Sequence, residues 1–180
     1  MALEEPSVIA AASAIAKLVK TCGGFKAISS RPVMLGQIQV LNVDYDKAKY
    51  IIDQNEEEIM RIANMHCQSM VKRGGGVIAI RHRRIRKGEY DENDDMVVEL
   101  SIDVREAMGA NITNTVCEGT APYVQSILDD SRIGLRILSN LCLERMVRSE
   151  FKIPVEKLAW KAASGLQVAE GIIQGYNFAV

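Results

Sequence analysis

Hydrophobic residues between Val33 and Leu138 repeat with two different periods. Apolar and polar residues alternate, as in strands, at residues 33–43, 77–85, 96–104 and 133–138. Apolar residues recur at helical spacing at residues 48–71 and about 107–128. Asp44 is placed to cap the first of these helices, and residues 90–95 are predicted to form an acidic turn. The order β-α-β-β-α-β is the ferredoxin-like order, so the pattern predicts an α+β fold with an antiparallel four-stranded sheet and two helices on one face.

A helix is predicted ahead of this unit. Pro6 suits a first helical turn, and small apolar residues continue the pattern from residue 7 to residue 19. The helix is expected to end at Cys22-Gly23-Gly24. The run Ser29-Ser30-Arg31-Pro32 breaks the pattern and is expected to mark a crossing between subdomains.

Mixed structure is predicted behind the unit. We expect a short helix at residues 141–147, an extended piece through Lys152 and a break at Pro154. A last helix is predicted at about residues 165–178. The chain stops within this pattern, without a C-cap glycine or a polar tail, which suggests a fragment.

Composition narrows the class of protein. The chain has 180 residues, 48% hydrophobic and 25% charged, with a formal net charge of −1. These values are ordinary for a globular protein and favour neither nucleic acid nor an anionic membrane as a partner. No leader pattern is found, and the apolar residues 10–19 are too few to span a bilayer. We therefore expect a cytoplasmic protein.

The cysteines and histidines lack metal-ligand spacing, so no metal site is expected. The residues concerned are Cys22, Cys67, Cys117, Cys142, His66 and His82. The cysteines are expected to lie on helix faces as reduced, buried small hydrophobic residues, and the histidines to be structural.

The junction between the third strand and the second long helix holds the main candidate for chemistry. Its sequence, from Asp103 to Thr115, is DVREAMGANITNT. A helix that starts here presents unpaired N–H groups and the positive end of its dipole, and Ala107, Gly109 and Ala110 allow close approach of a phosphate. The alternative is an ordinary capped helix with a glycine in its first turn.

Four blocks of the chain resemble hydroxymethylglutaryl-coenzyme A reductases. EAMGAN at residues 106–111 resembles the family's Asp-Ala-Met-Gly motif, which contacts the nicotinamide dinucleotide. The others are LEEPSV at residues 3–8, LRILSN at 135–140 and GIIQGYNFA at 171–179. They follow the family's order and are most similar to the soluble, degradative-type class II enzymes of bacteria and archaea. The resemblance implies a large-domain helical segment at 1–31, a dinucleotide-binding small domain at 32–139 and a truncated large-domain segment at 140–180.

The resemblance also implies site residues outside the turn. Glu5 matches the catalytic glutamate, whose pKa partial burial should raise, and Ser7 is placed to reach substrate. The alternative for Glu5 is an acidic turn that favours the helix dipole. Asn140 would lie between cofactor and substrate, and it or Ser139 would also serve as an N-cap for the helix predicted next.

Within the turn, Glu106, Met108, Gly109, Ala110 and Asn111 are the expected dinucleotide contacts. Family members usually carry aspartate where this chain has Glu106. The acid is therefore retained but is one methylene longer.

Two arginines bear on the choice of cofactor. Family members that use NADH tend to place an aspartate in the strand after the triple glycine, whereas this strand has no acid before Glu89. Arg83 and Arg84 could instead bind a 2′-phosphate, so NADPH is favoured over NADH. The alternative is that Arg81, Arg83 and Arg84 form the solvated face of an edge strand.

The implied parent reaction is the reduction of 3-hydroxy-3-methylglutaryl-CoA to mevalonate and CoA, or its reverse. The family's catalytic lysine, aspartate and histidine would follow Val180, so the isolated chain is expected to be inactive. A homodimer or higher homo-oligomer is expected, with the helix at residues 8–19 as a candidate interface. The alternative is a non-enzymatic ferredoxin-like module for small-ligand binding or oligomerisation.

Overall fold

The computed structural model describes residues 5–86, 88, 93–129 and 131–180. The helices are α1 (Pro6–Thr21), α2 (Tyr45–Gln54), α3 (Glu56–Met65), α4 (Gln68–Val71), α5 (Ala110–Ile127) and α6 (Gly165–Ala179). The strands are β1 (Lys26–Ser29), β2 (Val33–Val43), β3 (Gly76–Ile85), β4 (Asp94–Asp103), β5 (Arg132–Leu138) and β6 (Val147–Glu150). The chain folds into two compact units, one formed by the chain up to Ser29 together with Val147–Val180, the other by Ser30–Met146.

The unit Ser30–Met146 contains the ferredoxin-like sheet. Its strand order is β3-β4-β2-β5, and all neighbouring strands are antiparallel. The predicted β-α-β-β-α-β order is therefore confirmed. Asp94 and Asp95, predicted in an acidic turn, begin β4 instead, and residues 89–92 lie outside the described part of the chain.

One face of this sheet packs against α2, α3 and α5. The strand residues in the core are Ile38, Val40, Val98, Leu100 and Ile102, and those from the helices are Ile52, Ile59, Val116 and Val124. Each is at most 1% exposed. Full burial of a side chain of this size contributes about 1.5–3 kcal/mol, so this layer is the main source of the unit's stability.

The single helix predicted at residues 48–71 is wrong, because the chain forms three short helices there. Asn55 separates the first two. Its side-chain amide donates to the Ile51 carbonyl at 2.8 Å, while its Oδ1 accepts from the Tyr123 hydroxyl at 3.2 Å. A side chain that bonds to a nearby carbonyl in this way competes with the helical ladder. Asp44 caps α2 as predicted, accepting from the N–H groups of Asp46 and Lys47.

The histidines contact helices elsewhere in the fold, and the cysteines differ in burial. His82 bridges the Tyr45 hydroxyl (2.9 Å from Nδ1) and Asp53 (3.1 Å from Nε2), which joins β3 to α2. The His66 ring fits against Gly119 on α5, where an added Cβ would lie 2.4 Å from the ring. All four cysteines are free thiols, but only Cys67 and Cys117 are buried and only Cys117 lies within a helix. Burial raises the pKa of the Cys117 thiol to about 12.

The short helix predicted at residues 141–147 does not form. Residues 139–146, which we call the strap, run without helix or strand from the end of β5. The Ser139 N–H donates to the Leu35 carbonyl at 2.7 Å, and the Cys142 thiol donates to the Val33 carbonyl at 3.1 Å. Glu144 forms an ion pair with Arg81 on β3. These long-range contacts outweigh the strap's local helical pattern.

The other unit is small and mostly helical. Strand β6 lies almost entirely in the piece predicted to be extended, whereas β1 was not predicted. The two strands pair antiparallel, and the rings of Phe25 and Phe151 meet edge to face at 5.3 Å beside them. A 3-10 helix (Val155–Leu158) precedes α6, which starts at a Ser164 capping box. Helices α1 and α6 confirm the two terminal helix predictions. Among the described residues, none of the helices combines the length and apolar character that crossing a bilayer requires.

Candidate functional site

The turn between β4 and α5 is fixed by a buried carboxylate at its start. Asp103 is 2% exposed, and its Oδ1 accepts from the Arg105 N–H at 3.0 Å. Its Oδ2 lies 3.4 Å from the Arg31 guanidinium. Arg105 has a φ of +51°, a conformation that non-glycine residues rarely adopt. The carboxylate therefore stabilises an unfavourable backbone geometry at the first residue of the turn.

Gly109 lies at the other end of the turn, immediately before α5. Its φ is +95°, and a Cβ at this position would lie 2.9 Å from a Val104 methyl carbon and 3.0 Å from Met34 Cγ. Both the backbone conformation and the space thus require glycine. The missing side chain lets the backbone of the turn pack directly onto the sheet.

No side chain in the described part of the chain caps the N-terminus of α5. Helices α1, α2 and α6 are capped by Glu5, Asp44 and Ser164, so the ordinary capped helix considered above is not what the chain forms here. The first N–H groups of α5 have no carbonyl partner in the helical ladder. Among the described residues, the Ala110 N–H bonds only to the Met108 sulfur, at 3.4 Å. Together with the helix dipole, these donors form an environment that favours an anion.

A cleft of about 640 Å³ opens beside the turn. It is lined by Arg73, Val104, Arg105, Glu106 and Ala107. Arg105 reaches across to the Gly74 carbonyl and thereby joins the turn to the triple glycine before β3. The local charge is mixed, with two guanidinium groups and the Glu106 carboxylate on the cleft wall.

The five residues of the motif that are expected to contact the dinucleotide lie together. Glu106, Met108 and Asn111 are exposed, Ala110 is half-buried and Gly109 is buried. This arrangement offers an acid, an amide and backbone donors on one short segment. These are the groups that a phosphorylated, hydroxyl-rich ligand such as a dinucleotide needs.

Asn140 lies exposed on the strap. No helix follows it, so its suggested role as an N-cap is wrong. The Ser139 hydroxyl instead accepts from the Leu141 N–H at 3.2 Å and closes a local turn. The Asn140 amide is left accessible to a ligand.

Arg145, also on the strap, bonds to the turn. Its guanidinium donates to the Met108 carbonyl at 2.7 Å and to the Ala107 carbonyl at 3.2 Å. The sequence analysis missed both Arg145 and Arg105. Arg105 stands inside the quoted motif and could have been noticed there, whereas Arg145 had been assigned to a helix that does not form.

Arg83 and Arg84 lie on β3, away from the turn and on opposite faces of the strand. Arg83 pairs with Glu99 at 2.9 Å, and Arg84 pairs with Asp94 and lies over the Tyr45 ring. Their register partners on β4 are six and seven positions before Asp103, or about 20 Å along the strand. β3 is an edge strand, so these ion pairs fit the alternative of a solvated edge.

Glu5 and Ser7 belong to the other unit. Glu5 is exposed, and its carboxylate accepts from the Ser7 N–H at 3.0 Å as the N-cap of α1. Hydrogen bonding from Ser7 lowers the pKa of the Glu5 carboxyl. This direction is opposite to the one expected for a proton-transfer residue.

Comparison with known proteins agrees with these motifs. The family model described as hydroxymethylglutaryl-coenzyme A reductase matches residues 1–180. A 3-hydroxy-3-methylglutaryl-coenzyme A reductase of Archaeoglobus fulgidus is 37% identical over 180 residues, covering 99% of this chain and 39% of that protein.

Solved structures give the same result. The class II 3-hydroxy-3-methylglutaryl-CoA reductase of Streptococcus pneumoniae, bound to NADPH in open conformations, is 34% identical with a TM-score of 0.88, covering 98% of this chain and 47% of that one. Another structure of the reductase from this organism has the same identity and TM-score and is covered to 41%. The chain therefore spans less than half the length of these relatives.

Proposed function

The chain belongs to the hydroxymethylglutaryl-coenzyme A reductase family, and on that basis we propose that it supplies the cofactor-binding part of a reductase. The reaction would be reduction of 3-hydroxy-3-methylglutaryl-CoA to mevalonate and CoA, or its reverse. The observation that carries the proposal is the uncapped N-terminus of α5 beside the buried Gly109. It lies in the segment that resembles the family's dinucleotide motif.

The turn suits a nicotinamide dinucleotide. Backbone N–H groups at the start of α5 would hold the pyrophosphate, and the exposed Glu106 and Asn111 would bond to hydroxyl and amide groups of the cofactor. Gly109 would allow close approach of the backbone. The cofactor, when bound, would supply the hydride.

We favour NADPH as the cofactor. The Streptococcus pneumoniae relative is described as bound to NADPH. Arg83 and Arg84 stay our candidates for the 2′-phosphate, because their guanidinium groups are about half exposed, although each already pairs with a mostly buried carboxylate. Arg73 and Arg105 line the cleft itself and are a second candidate pair.

Glu5, Ser7 and Asn140 would act on the thioester side of the reaction. We propose that Glu5 transfers protons, Ser7 contacts substrate and Asn140 positions the reacting groups. Because the pKa of Glu5 is lowered here, the proton-transfer role requires that Glu5 lose solvent in the assembled enzyme. In the complete enzyme, Glu5→Gln should abolish turnover while leaving NADPH affinity unchanged.

Calorimetric titration of the chain with NADPH and NADH tests the cofactor proposal. We expect NADPH to bind more tightly, and Gly109→Ala to weaken both nucleotides. Two double variants should be compared, Arg83→Ala/Arg84→Ala and Arg73→Ala/Arg105→Ala. Replacing the pair that binds the 2′-phosphate should lower the affinity for NADPH and leave the affinity for NADH unchanged. Arg61→Ala, an exposed arginine of α3 paired with Glu58, is the matched control. Binding of neither nucleotide by the unmodified chain would favour the non-enzymatic module.

A homo-oligomer assembled through α1 completes the proposal. Only Val19 of this apolar helix is buried, while Val8 is 50% and Ile15 48% exposed. Free thiols are consistent with function in the cytoplasm. Sedimentation analysis of Ile15→Glu beside the unmodified chain tests the interface, since a charge at the contact should dissociate the oligomer.

A further inference from the structure

The strap is connected to its own unit at both ends. Ser30 holds its last residues, because the Ser30 hydroxyl donates to the Glu144 carbonyl at 2.6 Å and accepts from the Met146 N–H at 2.7 Å. The first strap residues bond to the backbone of β2. Between these anchors, Arg145 is presented to the turn before α5. The backbone at Arg145 is therefore held from both sides.

Arg145 forms a two-pronged contact with consecutive peptide groups. Its two terminal nitrogens donate to the carbonyls of Ala107 and Met108. In a trans peptide the N–H points opposite to the C=O, and no peptide in the described chain is cis. The N–H groups of Met108 and Gly109 belong to these same two peptides. They must therefore point away from Arg145.

Arg145 also acts electrostatically on these peptides. A cation that bonds to a carbonyl polarises the peptide and strengthens its N–H as a donor. Two such donors directly precede the open N–H groups of α5. Successive backbone N–H groups in a turn can together bind an anion.

We propose that Arg145 is a positioning residue for dinucleotide binding: it holds the peptides of Ala107 and Met108 so that the N–H groups of Met108 and Gly109 face the ligand. The proposal rests on the cofactor function proposed above. Arg145 acts through the backbone and does not touch the 2′-phosphate, so NADPH and NADH depend on it equally. Its own side chain is exposed, so it adds little to global stability.

The test uses the full chain with Arg145→Met, Arg145→Lys and, as the control, Arg61→Met. Backbone 15N order parameters are measured without ligand by NMR relaxation, affinities for NADPH and NADH by calorimetry, and the urea midpoint by circular dichroism. We expect Arg145→Met to lower the order parameters at Met108 and Gly109 and to weaken both nucleotides by about tenfold, the effect of losing one charge-assisted hydrogen bond. Arg145→Lys, which keeps the charge but not the fork, should restore part of the affinity. The urea midpoint should not change, and Arg61→Met should leave every measurement unaltered.

Three results would overturn the proposal. Unchanged order parameters at Met108 and Gly109 in Arg145→Met would show that the guanidinium does not order the turn. Loss of NADPH affinity alone would make Arg145 a direct phosphate ligand. If Arg145→Met lowers the urea midpoint enough to account for the weaker nucleotide binding, Arg145 has only a structural role. If the unmodified chain binds neither nucleotide, the proposed function fails, and the order parameters still decide whether Arg145 orders the turn.

Discussion

Replacement of Gly109 by alanine tests the geometry of the turn. The φ of +95° costs a non-glycine residue about 1–2 kcal/mol. The new Cβ would also lie 2.9–3.0 Å from Val104 and Met34, and overpacking of this kind costs about 1–3 kcal/mol. Together these effects predict a loss of about 2–5 kcal/mol, large against the 5–15 kcal/mol typical of a whole domain.

Gly36→Ala is the matched comparison, because it separates crowding from backbone strain. Gly36 has no positive φ, but its Cβ would lie 2.5 Å from Cys117 Sγ. Gly36→Ala should therefore lower the free energy of unfolding only through overpacking, by about 1–3 kcal/mol. Urea unfolding followed by circular dichroism measures both variants. A Gly109→Ala variant that loses less than about 1 kcal/mol would refute the argument that the turn requires glycine.

Three further changes probe the fold around the site. Burial raises the pKa of the folded Cys117 thiol to about 12, whereas the unfolded thiol ionises near its ordinary value of 9.0. The stabilisation from the buried neutral thiol is therefore complete below about pH 9 and is lost between pH 9 and 12. The free energy of unfolding should fall by up to about 1.4 kcal/mol per pH unit there, and urea titrations of Cys117→Ala should lack this component. The Val77 N–H donates to Asn64 Oδ1 at 2.9 Å. Asn64→Ala removes this acceptor and should lower the free energy of unfolding in urea by about 1–3 kcal/mol, whereas Asn64→Asp retains an acceptor. Asp44→Ala should cost about 1 kcal/mol and Asp44→Asn almost nothing, because only alanine removes the cap of α2; an equal loss in both would contradict capping.

The residues proposed to bind the cofactor show how much of the site the sequence alone can predict. EAMGAN is contiguous, so the chain itself brings Glu106, Gly109 and Asn111 together. Arg83 and Arg84 are also adjacent in sequence, and their assignment to the 2′-phosphate stays a prediction. In a strand, however, neighbouring side chains point to opposite faces, and each arginine has its own acidic partner.

The sequence by itself determined the sheet and the position of the turn. Strands β2 to β5 follow from alternation because one face of each strand must enter the core, a local signal that residue order carries directly. Helices α1, α5 and α6 follow from helical spacing in the same way, and α6 additionally starts at a serine whose capping box is encoded within four residues.

Tertiary structure alone decided the strap, the division of residues 48–71 and the pairing of β1 with β6. Each depends on contacts between residues far apart in the chain. Glu144 meets Arg81 across 63 positions, and Asn55 meets Tyr123 across 68. Such contacts can override weak local helix preferences of a few tenths of a kcal/mol per residue, and no local period records them. For the same reason Arg145, whose role depends on where the strap folds back, could be assigned only from the three-dimensional structure.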